Sequence, residues 1–182
     1  PLGDDAFNLS SVICNVDFYN ASTKTVSMTP AEGGATREGL KAGDELVAYN
    51  MNTGAAIGEA KIAAVLQSSG AMDRDLPGLG KGCQIALYRF NKNFLVKDSY
   101  IEGTVRVRSS GTFQNCKFNV FWVRVENETY VEGPVPKDIT FKNCTFTTPY
   151  ASNPEIFHVG TQKATGQTGM PAYKCKNIVL DG

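Results

Sequence analysis

A chain of 182 residues, 42% of them apolar, is long enough to bury one medium domain or two small ones. Eighteen lysines and arginines offset eighteen aspartates and glutamates, so no net positive field exists to hold nucleic-acid phosphates or an anionic membrane surface. No apolar run reaches the ~18 residues of a membrane-crossing helix, no signal-peptide pattern opens the chain, and a first residue of Pro1 points to an excerpt from a longer natural sequence.

The first chemical feature in chain order is Gly3-Asp4-Asp5-Ala6-Phe7-Asn8, within a segment (1–21) expected to form a β-helix coil. On an ideal strand adjacent side chains point to opposite faces, but at a bend both carboxylates can reach one external groove. Glycoside hydrolysis needs such groups, one to protonate the departing oxygen and another to activate water or attack the anomeric carbon. Crowding two negative charges also drives their pKa values apart. A turn or a calcium-binding loop uses the same residues, so the pair alone leaves those readings open.

Residues 22–92 change character and are expected to form an inserted small antiparallel β-barrel. Thr25-Val26-Ser27-Met28 reads as a strand. Gly43-Asp44 supplies a turn before the strand ending at Tyr49, and Asn52-Thr53-Gly54 supplies another. Glu59 to Val65 is a strand or one to two helical turns. A Gly/Pro-rich loop, Leu76 to Gly82, precedes the strand Gln84 to Tyr88. Asp44 and Glu45 read as turn residues.

The last part, 93–182, carries a degenerate repeat. Phe113-Gln114-Asn115-Cys116-Lys117-Phe118 and Phe141-Lys142-Asn143-Cys144-Thr145-Phe146 share the form F-x-N-C-x-F, and Val96 to Ile101 is a looser copy with Asp98 at the Asn place. Lys176 to Gly182 resembles the opening of a further copy, comparable to Lys137 to Asn143. Alternating apolar residues send one face of each short strand inward, and the recurring Asn or Asp can stack as a polar ladder at a bend. Strands Thr104–Arg108, Val120–Val125 and Glu155–Val159 offer a second side of each coil. The fold class is therefore all-β: part of a right-handed parallel β-helix carrying an inserted small antiparallel β-barrel. An antiparallel sandwich with coincidental copies is the alternative.

Cys14, Cys83, Cys116, Cys144 and Cys175 are widely spaced, lack CxxC pairs and have one histidine to help them, which argues against a metal site and for small core residues. No organic cofactor is implied. The sequons at Asn8, Asn20, Asn127 and Asn143 carry little weight in a chain rich in Asn, Ser and Thr. Candidate groove residues are Trp122, Tyr130, Tyr150 and Tyr173, whose flat faces suit the CH side of a sugar, with Arg106, Arg108, Arg124 and Glu132 as hydrogen-bonding groups. Trp122, Arg124 and Glu132 are the substrate-binding candidates of choice, although sequence does not tell which of Phe121, Trp122 and Val123 faces inward. Arg106 and Arg108 alternate with Val105 and Val107, as on a solvated strand face. His158, between Phe157 and Val159, can face outward or serve structure.

A Gly-Asp-Asp-Ala-x-Asn segment, a β-rich insertion and β-helix coils containing Val131-Glu132-Gly133-Pro134, with Asn115-Cys116 and Asn143-Cys144, resemble glycoside hydrolase family 110, bacterial exo-acting α-1,3-galactosidases. The resemblance implies a parallel β-helix with an inserted barrel and an inverting enzyme for terminal α-linked galactose, with Asp4 and Asp5 as candidate catalytic base. It also implies an extracellular or periplasmic bacterial setting. The family's other catalytic carboxylate lies upstream of the Asp pair, so the chain is expected to be a C-terminal part of such a protein.

Two other functions fit the same pattern. One is a non-catalytic, glycan-recognising β-helix of tailspike or adhesin kind, in which Asp4-Asp5 is a bend or an ion site. The other is a pectin-type hydrolase or lyase, for which basic residues grouped near the acid pair would be the mark. An exposed coil edge is expected to favour self-association.

Overall fold

The computed structural model describes residues 5–31, 40–67, 69–128, 132–133, 135–149, 155–163 and 166–182, with only the backbone of Asp5, Ser11, Asn127, Glu128 and Glu132. In chain order the strands are β1 (Asp5–Leu9), β2 (Ser11–Asn20), β3 (Thr25–Pro30), β4 (Glu45–Asn50), β5 (Ala56–Leu66), β6 (Ser69–Met72), β7 (Cys83–Leu87) and β8 (Lys92–Lys97). They continue as β9 (Tyr100–Val107), β10 (Ser110–Gln114), β11 (Lys117–Glu128), β12 (Glu132–Gly133), β13 (Lys137–Lys142), β14 (Thr145–Thr147), β15 (Phe157–Gln162) and β16 (Lys176–Asp181). No helix occurs among the described residues.

Two parallel sheets make the β-helix. Sheet I has the order β16-β13-β10-β8, and sheet II the order β1-β9-β11-β14 with β15 also on β11. The chain passes from sheet I to sheet II through tight bends and returns through connections that range from two residues, Arg108 and Ser109 between β9 and β10, to longer loops, in the right-handed sense that nearly all parallel crossovers take. A register shift between Val120 and Trp122, opposite Gly103 and Thr104, folds sheet II into two facets. One facet aligns Ile101, Phe118 and Phe146, and the other aligns Leu9, Val107, Val125 and Val159.

The F-x-N-C-x-F copies explain the coils physically. Phe113 stacks on Phe141 with ring centroids 5.0 Å apart and planes at 9°, and Phe118 stacks on Phe146 at 4.9 Å and 14°. Cys116 is buried beside them, and its thiol reaches the carbonyl of Val96. Each fully buried phenylalanine removes apolar surface worth roughly 1.5–3 kcal/mol from water. At the bends, Asp98, Asn115 and Asn143 all take left-handed backbone angles, φ 53°, 55° and 51°. Asn115 donates from Nδ2 to Asp98 at 2.9 Å, and Asn143 donates to Asn115 at 3.3 Å. Asn tolerates this conformation because its short amide hydrogen-bonds locally. A second pair that the sequence reading missed, Asp138 and Asn177, repeats the device where sheet I begins: both have positive φ and are joined at 2.8 Å.

The barrel closes as β2-β3-β6-β5-β4-β7 with β7 returning to β2, every pairing antiparallel. Its first strand begins at Ser11, ahead of the boundary expected at residue 22. β2 serves two layers: Val16 enters the barrel core, while Ile13 enters a cluster with Val47, Tyr49, Ala86, Tyr88 and Val135 between barrel and coils. The Ala-rich segment is strand β5, not helix, because it pairs along both edges with β4 and β6.

Asp44, expected as a plain turn residue, is buried and ion-paired with Arg89 at 2.7 Å. Its other oxygen accepts the backbone N–H of Lys41 at 2.8 Å, which ties the turn before β4 to the strand-to-coil junction. Glu45 stands between Lys92 and Lys61, and the hydrogen bond from Lys92 holds its carboxyl below the usual range.

Candidate functional site

The outer face of sheet II gathers the polar chemistry. Because Val105, Val107, Val123 and Val125 are fully buried, the residues between them point out of the coil. The register lines up Asn8, Arg106, Arg124 and His158 on four neighbouring strands. Trp122 lies one outward position earlier on β11, beside Thr104, which in turn pairs with Asp5.

The register shift at Phe121 settles the orientation that sequence left open. Val123 is the inward residue, and Trp122 turns outward and is half-buried. The Arg124 guanidinium carbon lies 4.4 Å from the Trp122 ring centroid, and that of Arg106 lies 5.2 Å away. Each such contact contributes about 0.5–1 kcal/mol when exposed and up to ~2 when desolvated. Two cations from neighbouring coils therefore fix the indole on the surface.

Glu126, which the sequence reading passed over, anchors the other end of the patch. Its side chain is 4% exposed, yet Arg124 Nε lies 3.6 Å from its Oε1 and His158 Nε2 lies 3.7 Å away. Gln162 donates to the same oxygen at 2.8 Å. Burying a carboxylate is costly unless it is paired and hydrogen-bonded, and here both conditions are met. His158 also turns Nδ1 toward Glu155, 3.5 Å away. The only sequence signal for Glu126 is its outward phase on β11, one place beyond Arg124.

Other candidates separate from this patch. Arg108 is 2% exposed, a correction to the solvated strand face expected for it. It stands at the turn where barrel and coil meet, and its N–H donates to Leu9. Tyr173 gives its hydroxyl to the carbonyl of Ala48 at 3.0 Å, so it fastens a loop to the barrel. Glu132 lies not in an open loop but in β12, antiparallel to Val12 of β2. Asp4, Tyr130 and Tyr150 lie outside the described residues, as does the side chain of Asp5. The backbone of Asp5 begins the rung as expected.

A depression of about 180 Å³ lies elsewhere, where barrel strands β4 and β5 meet the coils, lined by Glu45, Glu59, Lys61, Arg74, Tyr88 and Lys137, among others. Its charges largely satisfy one another: Glu45 holds Lys61 and Lys92, and Lys137 sits 3.8 Å over the Tyr88 ring. The outer face of sheet II, with its aromatic platform and convergent donors, is the better candidate site. Among the described residues no group of His, Cys, Asp and Glu is placed to hold a metal, and no helix is long and apolar enough to cross a membrane.

Fold and site together define a parallel β-helix with an inserted barrel that displays an arginine-clamped tryptophan. No family model and no curated protein matches the chain. Among solved structures it matches the gp54 tailspike of Acinetobacter baumannii bacteriophage AP22, in complex with A. baumannii capsular saccharide, at 13% identity and a TM-score of 0.29. That alignment covers 94% of this chain and 33% of the tailspike chain, so the chain spans about a third of that protein's length.

Proposed function

We propose that the chain is a glycan-recognising part of a β-helix protein and that carbohydrate binds on the outer face of sheet II around Trp122. The observation that carries this reading is the indole held outward by Arg106 and Arg124 beside the Glu126, His158 and Gln162 cluster. An aromatic face stacks on the CH side of a sugar, while the flanking donors and acceptor meet its hydroxyls. A glycan array followed by calorimetry tests it. Saturable binding that is lost in Trp122→Ala, with no monosaccharide released, is the expected result; unchanged binding in that variant sinks the assignment.

A second reading, an inverting exo-α-galactosidase of glycoside hydrolase family 110 kind, is favoured by one placement. Asp5 shares the Thr104 row with Trp122, two strands away, which is about 10 Å at ordinary strand spacing. In this reading Asp4 and Asp5 supply the base, and the chain works outside the cytoplasm of a bacterium on a galactose-terminated glycan. Asp4→Asn and Asp5→Asn in the full-length protein should then each lower hydrolysis by orders of magnitude while the unfolding transition stays put. Near-normal rates in both would remove it.

A further inference from the structure

We infer that the glycan taken by this face is acidic, an oligosaccharide bearing carboxylates that runs across the coils rather than a single neutral terminal sugar. The inference rests on the carbohydrate reading above and concerns the ligand's charge and direction.

The register row Asn8, Arg106, Arg124, His158 crosses four strands in order, with one outward nitrogen donor side chain per strand. Adjacent strands stand ~4.8 Å apart, so the row presents a donor at that interval along the solenoid axis for about 14 Å. That interval is comparable to the advance of one hexose in an extended chain, so successive sugars would meet successive coils. The sequence as a whole has zero net charge, yet Arg106 and Arg124 stand side by side in this row, with His158 next to them. Arginine presents a planar fork that takes a carboxylate through two parallel hydrogen bonds.

Two acids with described side chains stand beside the row, Glu126 and Glu155. Glu126 is buried against Arg124, His158 and Gln162, so it draws those residues into place more than it meets solvent. Glu155 stands beside His158 at the far end of the row, and Asp5 lies one row away beside Thr104. Arg124 and His158 each keep 36% of their side-chain surface accessible, so both can reach a ligand from the outer face.

The test uses the whole protein with three probes in calorimetric titrations: a hexameric oligogalacturonate, the same oligomer fully methyl-esterified, and a neutral α-1,3-galactosyl oligosaccharide. The free acid should bind at least about tenfold more tightly than its ester at low salt, and the gap should narrow at higher ionic strength. Arg124→Gln should close the gap, and Arg124→Lys should keep part of it. Thermal unfolding run beside each titration shows that the variants remain folded. Equal binding of acid and ester, or tighter binding of the neutral galactosyl probe, overturns the acidic-ligand inference and leaves the carbohydrate reading standing. Absence of binding by all three probes overturns both.

Discussion

The guanidinium of Arg124 lies 4.4 Å from the ring centroid of Trp122, two residues away on the same strand. The same guanidinium lies 3.6 Å from the buried carboxylate of Glu126. Arg124 therefore joins the aromatic platform to the acid cluster. Arg124→Ala should expose the indole and leave Glu126 short of a cation, costing about 1–3 kcal/mol. Trp122 is the single tryptophan of the chain, so its emission should shift to the red in this variant and give a direct readout beside the denaturant curve.

The Asp98, Asn115, Asn143 ladder should be a measurable source of coil stability. Asn115→Ala removes two side-chain hydrogen bonds and forces a Cβ-bearing residue without a compensating amide to hold φ near 55°. A loss of about 1–3 kcal/mol in equilibrium unfolding is expected. Asn115→Gly should cost less, since glycine takes that conformation without strain. If alanine and glycine behave alike, left-handed geometry is not what selects Asn at this bend.

The loop after β15 should hold the barrel on the coils. Its Thr168 and Ala172 N–H groups donate to the carbonyls of Asn52 and Gly54, and Gln167 donates to that of Met51. A Cβ on Gly169 would sit 2.4 Å from the carbonyl oxygen of Thr53, which is backbone and cannot move aside alone. Gly169→Ala should loosen this contact, seen as faster amide exchange at Thr168 and Ala172 and earlier proteolysis of the loop, while the Phe113 and Phe141 stack keeps its protection.

Alkaline pH should weaken the fold from the barrel side. Burial raises the Cys14 thiol to about 11 and also pushes the Tyr49 and Tyr88 hydroxyls upward. A raised pKa on a group that is neutral when protonated means stability is fully present below the unfolded value and is lost as pH climbs toward the folded one. Unfolding midpoints should thus hold near neutral pH and fall from about pH 9 upward. Cys14→Ala should remove only the first part of that fall. Cys14 should also react very slowly with thiol reagents at pH 8 in the native state.

The coils were legible in sequence because their repeat is a packing rule: a phenylalanine on each side of an Asn-Cys bend recurs wherever a coil must turn around the same interior. The barrel was legible as a change of composition, but its start was not. Ser11 to Asn20 is a strand that buries both Ile13 and Val16, and the alternation that distinguishes a coil strand from a barrel strand is erased where two cores flank it. The site was half legible. Trp122 and Arg124 stood out by residue type, but their shared outward face depends on the shift at Phe121, which no local pattern announces. Glu126 was hidden because its partner Gln162 lies 36 residues on, and a lone glutamate at a strand end reads as solvated.

Titration of Trp122 emission with oligogalacturonate, run in parallel with calorimetry on Trp122→Ala, tests the account at its centre. Binding on the outer face of sheet II requires a saturable change in the indole signal and a calorimetric affinity that falls at least about tenfold in the variant, as removal of an aromatic anchor from a binding interface does. A glycan that binds with full affinity to Trp122→Ala, or that binds while the indole emission stays constant, would place carbohydrate recognition elsewhere on the molecule and contradict the account.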